Sequence, residues 1–169
     1  MKYAVSLIIV IVTFVILVGS YSKTLPLSLE YQNMDIVRLS ILAYNDGDWS
    51  SFSNLHSPIY LHHAPDHNEP ISLVAYELSC RIAHRRLPDL QYRIKDIFCV
   101  SDKVACRLVW EYHCYSDHFL YRFPDGIIQG SLISISLIKD GKIIEEWLEY
   151  DPVCVNELIH FAKRMEHIK

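Results

Sequence analysis

The sequence lacks the composition of a disordered or fibrous chain. Only 5 of its 169 residues are glycine, and it contains no low-complexity tract. It is instead 51% hydrophobic and 12% aromatic, with 11 tyrosines. This length fits one ordinary domain, and this composition is typical of a chain with a packed core. We therefore predict a single folded domain.

A stripe of positive charge is also missing. The chain has 16 lysines and arginines against 20 acidic residues, which gives a formal net charge of -4, and the basic residues are scattered. Proteins that bind nucleic acid usually concentrate positive charge on one face. Nucleic acid is therefore not an expected partner.

Charge is absent from one segment near the start of the chain. Residues 3–22 carry no charged side chain, Lys2 precedes them and Lys23 follows them. A basic start, an apolar run and small residues after it are typical of a secretory signal peptide. An uncharged run of about 20 residues can also span a bilayer. Both interpretations remain open.

This segment sets the predicted domain boundaries and location. We predict a signal peptide or N-terminal membrane anchor over residues 1–22 and one domain over residues 24–169. The domain would then be exported, either periplasmic or secreted, or anchored to a membrane by residues 3–22. The N-terminal segment would be its only contact with a membrane.

The cysteines lack the spacing of a zinc or redox motif. Five lie beyond the apolar segment, at Cys80, Cys99, Cys106, Cys114 and Cys154. An odd number leaves at least one thiol unpaired even in an oxidising compartment. Because each lies within an apolar pattern, we interpret them mainly as small buried side chains. No cofactor is predicted from them.

The hydrophobic pattern changes period halfway along the chain. Apolar residues first recur at helical spacing and later alternate as in strands. The predicted elements are helices over 29–44 and 48–55, a strand over 59–63, a helix over 71–86, strands over 90–98, 104–115, 129–138 and 142–150, and a closing helix over 153–165. Helices followed by antiparallel strands favour an α+β fold with helices on one face of a curved, mostly antiparallel sheet.

Four short motifs occur in an informative order. YNDGD at residues 44–48 is similar to a helix-ending N-x-G-D pattern, and YLHHAP at 60–65 is similar to Y-V-x-H-x-P. Residues 88–90 keep the last three letters of F-P-D-L. The strongest match is DGKIIEEWLEYD at 140–151, which is close to DGKIVEEWDEYD.

On these motifs the chain resembles the SnoaL-like, ester-cyclase family of polyketide cyclases within the nuclear transport factor 2-like superfamily. The resemblance covers roughly residues 30–163. It implies a cone-shaped fold in which the helices and the curved sheet enclose an apolar pocket. For the cyclases of the family it implies an intramolecular aldol ring closure that starts with removal of a proton next to a carbonyl.

Leu148 departs from the family pattern at a position that matters. Many members have an aspartate directly after the tryptophan, where it acts as the general acid and base, and this chain has Leu148. A leucine cannot transfer a proton, and the aldol step needs a base with a tuned pKa. We therefore expect that cyclase chemistry is not retained.

Glu146 is the first candidate to replace that aspartate. Strand alternation places it on the same face as Leu148 and Tyr150, and the family register turns that face to the cavity. Desolvation would raise the pKa of a glutamate there, so that it could act as a base near neutral pH. The alternatives are an ion pair with Arg107 or exposure at the mouth of the cone.

His63 is the second candidate for proton transfer. It matches the histidine of the family motif, and the ordinary pKa of imidazole is the closest to neutral. A structural role is the alternative. Its neighbours His62, Asp66 and His67 carry atoms that zinc accepts, but their spacing is irregular. We predict a polar loop there and no metal site.

The predicted ligand pocket is aromatic. Its lining is expected to include Tyr60, Trp110, Tyr112, Leu148 and Tyr150. Alternation places Trp110 and Tyr112 on one face of their strand but does not tell which face turns inward. The same apolar face could instead pair two copies of the domain, so a homodimer is possible.

Two function classes follow from these observations. In the first, a SnoaL-like domain binds a small apolar molecule or a partner protein without chemistry, which Leu148 favours. In the alternative, an enzyme of the ester cyclase, isomerase or hydrolase type acts on a small carbonyl compound by acid/base proton transfer through Glu146 or His63. Fold resemblance alone does not choose between them.

Overall fold

The computed structural model describes residues 28–113 and 127–150. In chain order its elements are α1 (Leu29–Asp46), α2 (Trp49–Leu55), β1 (His56–His63), β2 (Ile71–Ser72), α3 (Leu73–Arg86), β3 (Gln91–Val100), β4 (Lys103–His113), β5 (Ile127–Lys139) and β6 (Lys142–Tyr150). The predicted N-terminal signal peptide or anchor and the predicted closing helix lie outside the described residues. Within the described part, no helix is both long and apolar enough to cross a membrane.

The strands form one six-stranded sheet in the order β2-β1-β6-β5-β4-β3. Neighbouring strands are antiparallel except β1 and β6, which run parallel. A two-residue turn at Asp140 and Gly141 joins β5 to β6, with φ values of 51° and 72° that suit the right-handed twist of a hairpin. The helices pack on one face of this sheet, so the predicted α+β class is confirmed.

Asn45, in the YNDGD motif at residues 44–48, has a structural role at the end of α1. Helix α1 ends at Gly47, which has a left-handed φ of 67°, and Asp48 then caps α2 by accepting a bond from the amide of Ser51 at 3.1 Å. The amide side chain of Asn45 donates to the Tyr92 carbonyl at 2.8 Å and accepts from the Tyr92 amide at 2.9 Å. The Asn45 side chain therefore makes the two hydrogen bonds to the Tyr92 backbone that a neighbouring strand would make, and it fixes the end of α1 on β3.

Several element boundaries differ by one to three residues from the sequence prediction, and two of these differences have a structural reason. Strand β1 begins at His56, before Pro58, because its register with β6 shifts between His56 and Leu61. The missing amide of Pro58 falls in this irregular stretch, where a proline is tolerated. The helix predicted from residue 71 begins at Leu73, since Ile71–Ser72 pairs with β1 as a short strand.

The two faces of the sheet differ in burial. On β4 alternate residues are buried beneath the helices, and these are Val104, Cys106, Leu108, Trp110 and Tyr112. The opposite, outer face exposes apolar side chains, including Phe98, Ile133 and Ile135. Strand β4 therefore directs its aromatic set inward, toward the helices. A homodimer stays a prediction.

Gly130 leaves space for the indole of Trp110 on the inner face of the sheet. It lies opposite Trp110 in the β4–β5 ladder, and a Cβ at this position would be only 2.4 Å from Cζ2 of the indole. The indole therefore occupies the space that a side chain on β5 would otherwise fill.

We expect Gly130→Ala to push the Trp110 indole off β5 and to lower the free energy of unfolding by about 1–3 kcal/mol. Urea unfolding followed by circular dichroism measures the change. The control is Ser131→Ala, next to it on the exposed face, which should cost less than about 0.5 kcal/mol. Equally small changes in both variants would contradict this packing.

Candidate ligand cavity and its ionisable cluster

A cavity of about 250 Å³ lies between the helices and the inner face of the sheet. Its wall is mainly aromatic and aliphatic, and the aromatic members include Tyr44, Phe52, Tyr76, Tyr92 and Trp110. The polar groups in the wall include His56, His62, Asp66 and Glu146. An apolar cavity with a few convergent polar groups is the usual form of a small-molecule site.

Glu146 is the centre of the polar group. Its side chain is only 13% exposed. Tyr60 donates its hydroxyl to Oε2 at 2.9 Å, and Ser136 donates its hydroxyl to Oε1 at 3.2 Å. Nδ1 of His62 lies 3.7 Å from Oε2. Residues of β1 and β5 therefore hold a carboxylate of β6 in the interior.

The surroundings of Glu146 act on its pKa in opposite directions. Burial raises it, but the adjacent His62 imidazole, the His56 imidazole and the Tyr60 hydroxyl together lower it by more than burial raises it. The net pKa lies below the ordinary value of 4.5. The expected upward shift is therefore wrong, because the sequence did not reveal the partners that stabilise the ionised form.

His62 is held by its neighbours in a defined orientation. The Tyr60 hydroxyl gives its only proton to Glu146, so toward Nδ1 of His62, at 3.1 Å, it acts as an acceptor. In the neutral ring the proton is then on Nδ1 and the lone pair is on Nε2. Tyr76 stacks on the imidazole with the ring centroids 3.8 Å apart and fixes its plane.

His56 adds a second imidazole to the wall. Its Nδ1 donates to the carbonyl of Phe52 at 2.7 Å, which in the neutral ring leaves Nε2 as the acceptor. Burial lowers the pKa of His56. This residue is therefore uncharged at neutral pH.

The mouth of the cavity has its own polar contact. The Tyr150 hydroxyl donates to Oδ1 of Asp66 at 2.6 Å, which joins the end of β6 to the loop after β1. His67 is adjacent, with Nε2 3.8 Å from the same oxygen. Burial and then Asp66 raise the pKa of Tyr150, so its hydroxyl stays protonated.

The predicted site residues separate into those in the wall and those behind it. Glu146, Leu148, Tyr150 and Trp110 line the cavity. Tyr60 is buried behind the wall, where its hydroxyl contacts the lining residues Glu146 and His62. Tyr112 is buried in the adjacent hydrophobic cluster with Trp110 and is not part of the lining.

His63 lies on the other face of β1, away from the cavity. Its Nε2 contacts Oε1 of Glu145 at 2.8 Å, and its ring stacks on Trp147 at 5.4 Å. In the second half of β1 the inward positions are Tyr60 and His62, which are two residues apart. His62 therefore takes the place that the sequence analysis gave to His63, and strand alternation from Tyr60 was the signal that could have identified it.

Arg107 does not pair with Glu146. Its Nε contacts Oδ2 of Asp96 at 2.6 Å, on the exposed side of the sheet. Alternation explains this difference, because Arg107 is on the face of β4 opposite Trp110. The alternative of an ion pair between Glu146 and Arg107 is therefore wrong.

Cys80 also lines the cavity as a free thiol. Burial raises its pKa to about 12, so it is protonated and a poor nucleophile near neutral pH. Cys99 and Cys106 are free as well, and Cys114 and Cys154 lie outside the described residues. Within residues 28–113 and 127–150, no three metal-binding side chains come together.

Comparison with known proteins places these features in a family. The family model described as SnoaL-like polyketide cyclase matches residues 34–156. No curated protein matches the chain.

Several solved structures share the fold. IdmH of Streptomyces antibioticus, a candidate polyketide cyclase, is 22% identical, with 76% of this chain and 99% of that chain covered and a TM-score of 0.63. A candidate polyketide cyclase from Bacillus cereus is 19% identical, with coverages of 75% and 79% and a TM-score of 0.61. A SnoaL-like protein of Jannaschia sp. is 16% identical, with coverages of 76% and 91% and a TM-score of 0.61. At these identities the likeness supports the fold alone.

Because the pKa of Glu146 is lowered on folding, its ionised form stabilises the fold. This stabilisation is present above the ordinary carboxyl pKa and is lost as the pH falls through the lower folded-state pKa. We expect the stability difference between the wild type and Glu146→Gln to shrink from about pH 7 to about pH 3.

Thermal unfolding of both proteins over that pH series measures the difference. Glu149→Gln, on the exposed face of the same strand, controls for the loss of one charge. A stability difference at Glu146 that is independent of pH would contradict the lowered pKa.

Proposed function

The chain belongs to the SnoaL-like polyketide cyclase family, and on that basis we propose that its cavity binds a small, mainly apolar molecule with one polar group. The observation that carries this proposal is the cavity of about 250 Å³ with a buried polar cluster at Glu146. The volume is just under the roughly 300–1,000 Å³ of most ligand pockets, so the occupant is small.

The presence of Leu148 favours ligand binding over the acid/base reaction of the family's cyclases. It lies in the cavity wall on the same face of β6 as Glu146, where many family members carry the acid/base aspartate. An aliphatic side chain there adds apolar contact area for a ligand at about 25 cal/mol per Å² of buried surface. The polar group of the ligand would then face His62 and Glu146.

A larger side chain at position 148 should block the cavity. We expect Leu148→Phe to weaken the binding of 2-naphthylmethanol, a neutral bicyclic probe, by at least about tenfold, because the added ring occupies the ligand volume. Isothermal titration calorimetry measures the affinity. Leu61→Phe makes the same change at an exposed position of β1 and should bind as the wild type does.

Two results would count against binding in this cavity. One is equal affinity of Leu148→Phe and the wild type. The other is equal weakening in both phenylalanine variants, which would indicate a general effect of the substitution.

The arrangement of His62 favours a second candidate function, acid/base proton transfer on a carbonyl compound. The lone pair of Nε2 is the free acceptor of the neutral ring, and Glu146 lies near Nδ1 at the other side of the imidazole. Nε2 would take a proton from the carbon beside the carbonyl, the electron pair of that C–H bond would form a carbon–carbon double bond, and the π pair of the carbonyl would move onto its oxygen to give an enolate. Glu146 would stabilise the imidazolium until the proton returns.

His62 and His63 provide a matched pair for a test of proton transfer. We expect the wild type to accelerate deuterium exchange of the acidic C–H groups of 2-tetralone in D₂O, followed by proton NMR. His62→Gln should slow the catalysed exchange by about 10²-fold or more. His63→Gln should leave it unchanged, since that ring lies outside the cavity. Exchange at the wild-type rate in His62→Gln would remove this candidate and leave the binding proposal intact.

A further inference from the structure

We propose that the molecule bound in the cavity carries a protonated amine. This inference rests on the proposed binding function and names the chemical class of its ligand. It follows from the charged and aromatic groups that the described residues place in the cavity wall.

Apart from the imidazoles of His56, His62 and His67, the ionisable acidic and basic side chains in the wall have one sign. Glu146 contributes a carboxylate at the inner end and Asp66 contributes one at the mouth, whereas no lysine or arginine of the described residues lines the cavity. His56 is uncharged near neutral pH because burial lowers its pKa. The cavity therefore favours a positive charge and opposes a negative one.

The arginines near this region are paired elsewhere. Arg38 pairs with Asp35, Arg81 with Glu77, Arg93 with Glu111 and Arg107 with Asp96. Within the described part of the chain, the only ion-pair partner of Glu146 is His62. Its charge is thus compensated by hydroxyl groups and an imidazole, and by no permanent cation.

Glu146 can accept further hydrogen bonds. Its two oxygens have about four acceptor positions. The hydroxyls of Tyr60 and Ser136 use two of them, and Nδ1 of His62 is 3.7 Å away, beyond normal hydrogen-bond distance. An ammonium group in the cavity would supply the missing donors and the missing positive charge.

Aromatic rings surround the same space. Tyr44, Phe52, Tyr76, Tyr92, Trp110 and Tyr150 line the cavity. A cation within about 6 Å of such ring faces is attracted by their quadrupoles, most strongly when water is excluded. Carboxylates and aromatic faces together select an amine over a neutral or anionic ligand of equal shape.

Three ligands of one shape test this selection: 2-naphthylmethylamine, 2-naphthylmethanol and 2-naphthoate. Calorimetric titration of the full chain near neutral pH should give an amine affinity about tenfold above that of the alcohol, since a hydrogen bond to a charged group is stronger than a neutral one. The carboxylate should bind more weakly than the alcohol.

Substitutions of single carboxylates test which of them causes the preference for the amine. Glu146→Gln should remove most of the preference for the amine while the alcohol still binds, which also shows that the variant is folded. Asp66→Asn, at the mouth, should reduce the preference by a smaller factor. Glu149→Gln, on the opposite face of β6, should keep the wild-type preference.

The other outcomes are distinguishable. If the alcohol binds and the amine binds no better, or the carboxylate binds best, the amine inference is overturned and the binding proposal stands. If the preference survives both Glu146→Gln and Asp66→Asn, the inference is also overturned, because the selection has another source. If none of the three ligands binds, the binding proposal fails and this inference fails with it.

Discussion

Glu146 brings a carboxylate into the interior, and the hydrogen bonds that hold it there organise the cavity. Tyr60 comes from β1 and Ser136 from β5, so one side chain of β6 ties together three strands. A buried charge is costly unless it is hydrogen-bonded, and removing one partner leaves that cost uncompensated. The positions of Tyr60 and His62, and through them the stacked Tyr76, therefore depend on this carboxylate.

The parallel pairing of β1 with β6 makes that arrangement possible. In this register His62 is the direct partner of Glu146, although the two residues are 84 positions apart in the sequence. Tyr60 and His62 share the inward face of β1, while His63 and Trp147 meet on the outward face. The pairing of β1 with β6 thus assigns two adjacent histidines to different surroundings. His62 joins an enclosed polar cluster, and His63 joins a half-buried aromatic stack.

Much of the fold could be predicted from local signals. The end of α1 at Gly47, the cap at Asp48 and the hairpin turn at Asp140 and Gly141 each depend on residues close in sequence. Alternation also identified Glu146 and Leu148 as members of one face. It did not identify the partners of Glu146, because they come from distant strands whose pairing has no local signature. The same limitation explains the wrong partner for Arg107 and the wrong direction of the Glu146 pKa shift.

The sequence by itself determined the fold class, the family and the set of side chains that could face inward, because periodicity and turn chemistry act over a few residues. Only the tertiary structure decided which of those side chains meet. The pairing of β1 with β6 chose His62 over His63, and the gap at Gly130 gave Trp110 its place in the wall. Contacts between distant segments depend on strand register and on packing space. Both are properties of the assembled sheet, and neither belongs to any short stretch of the chain.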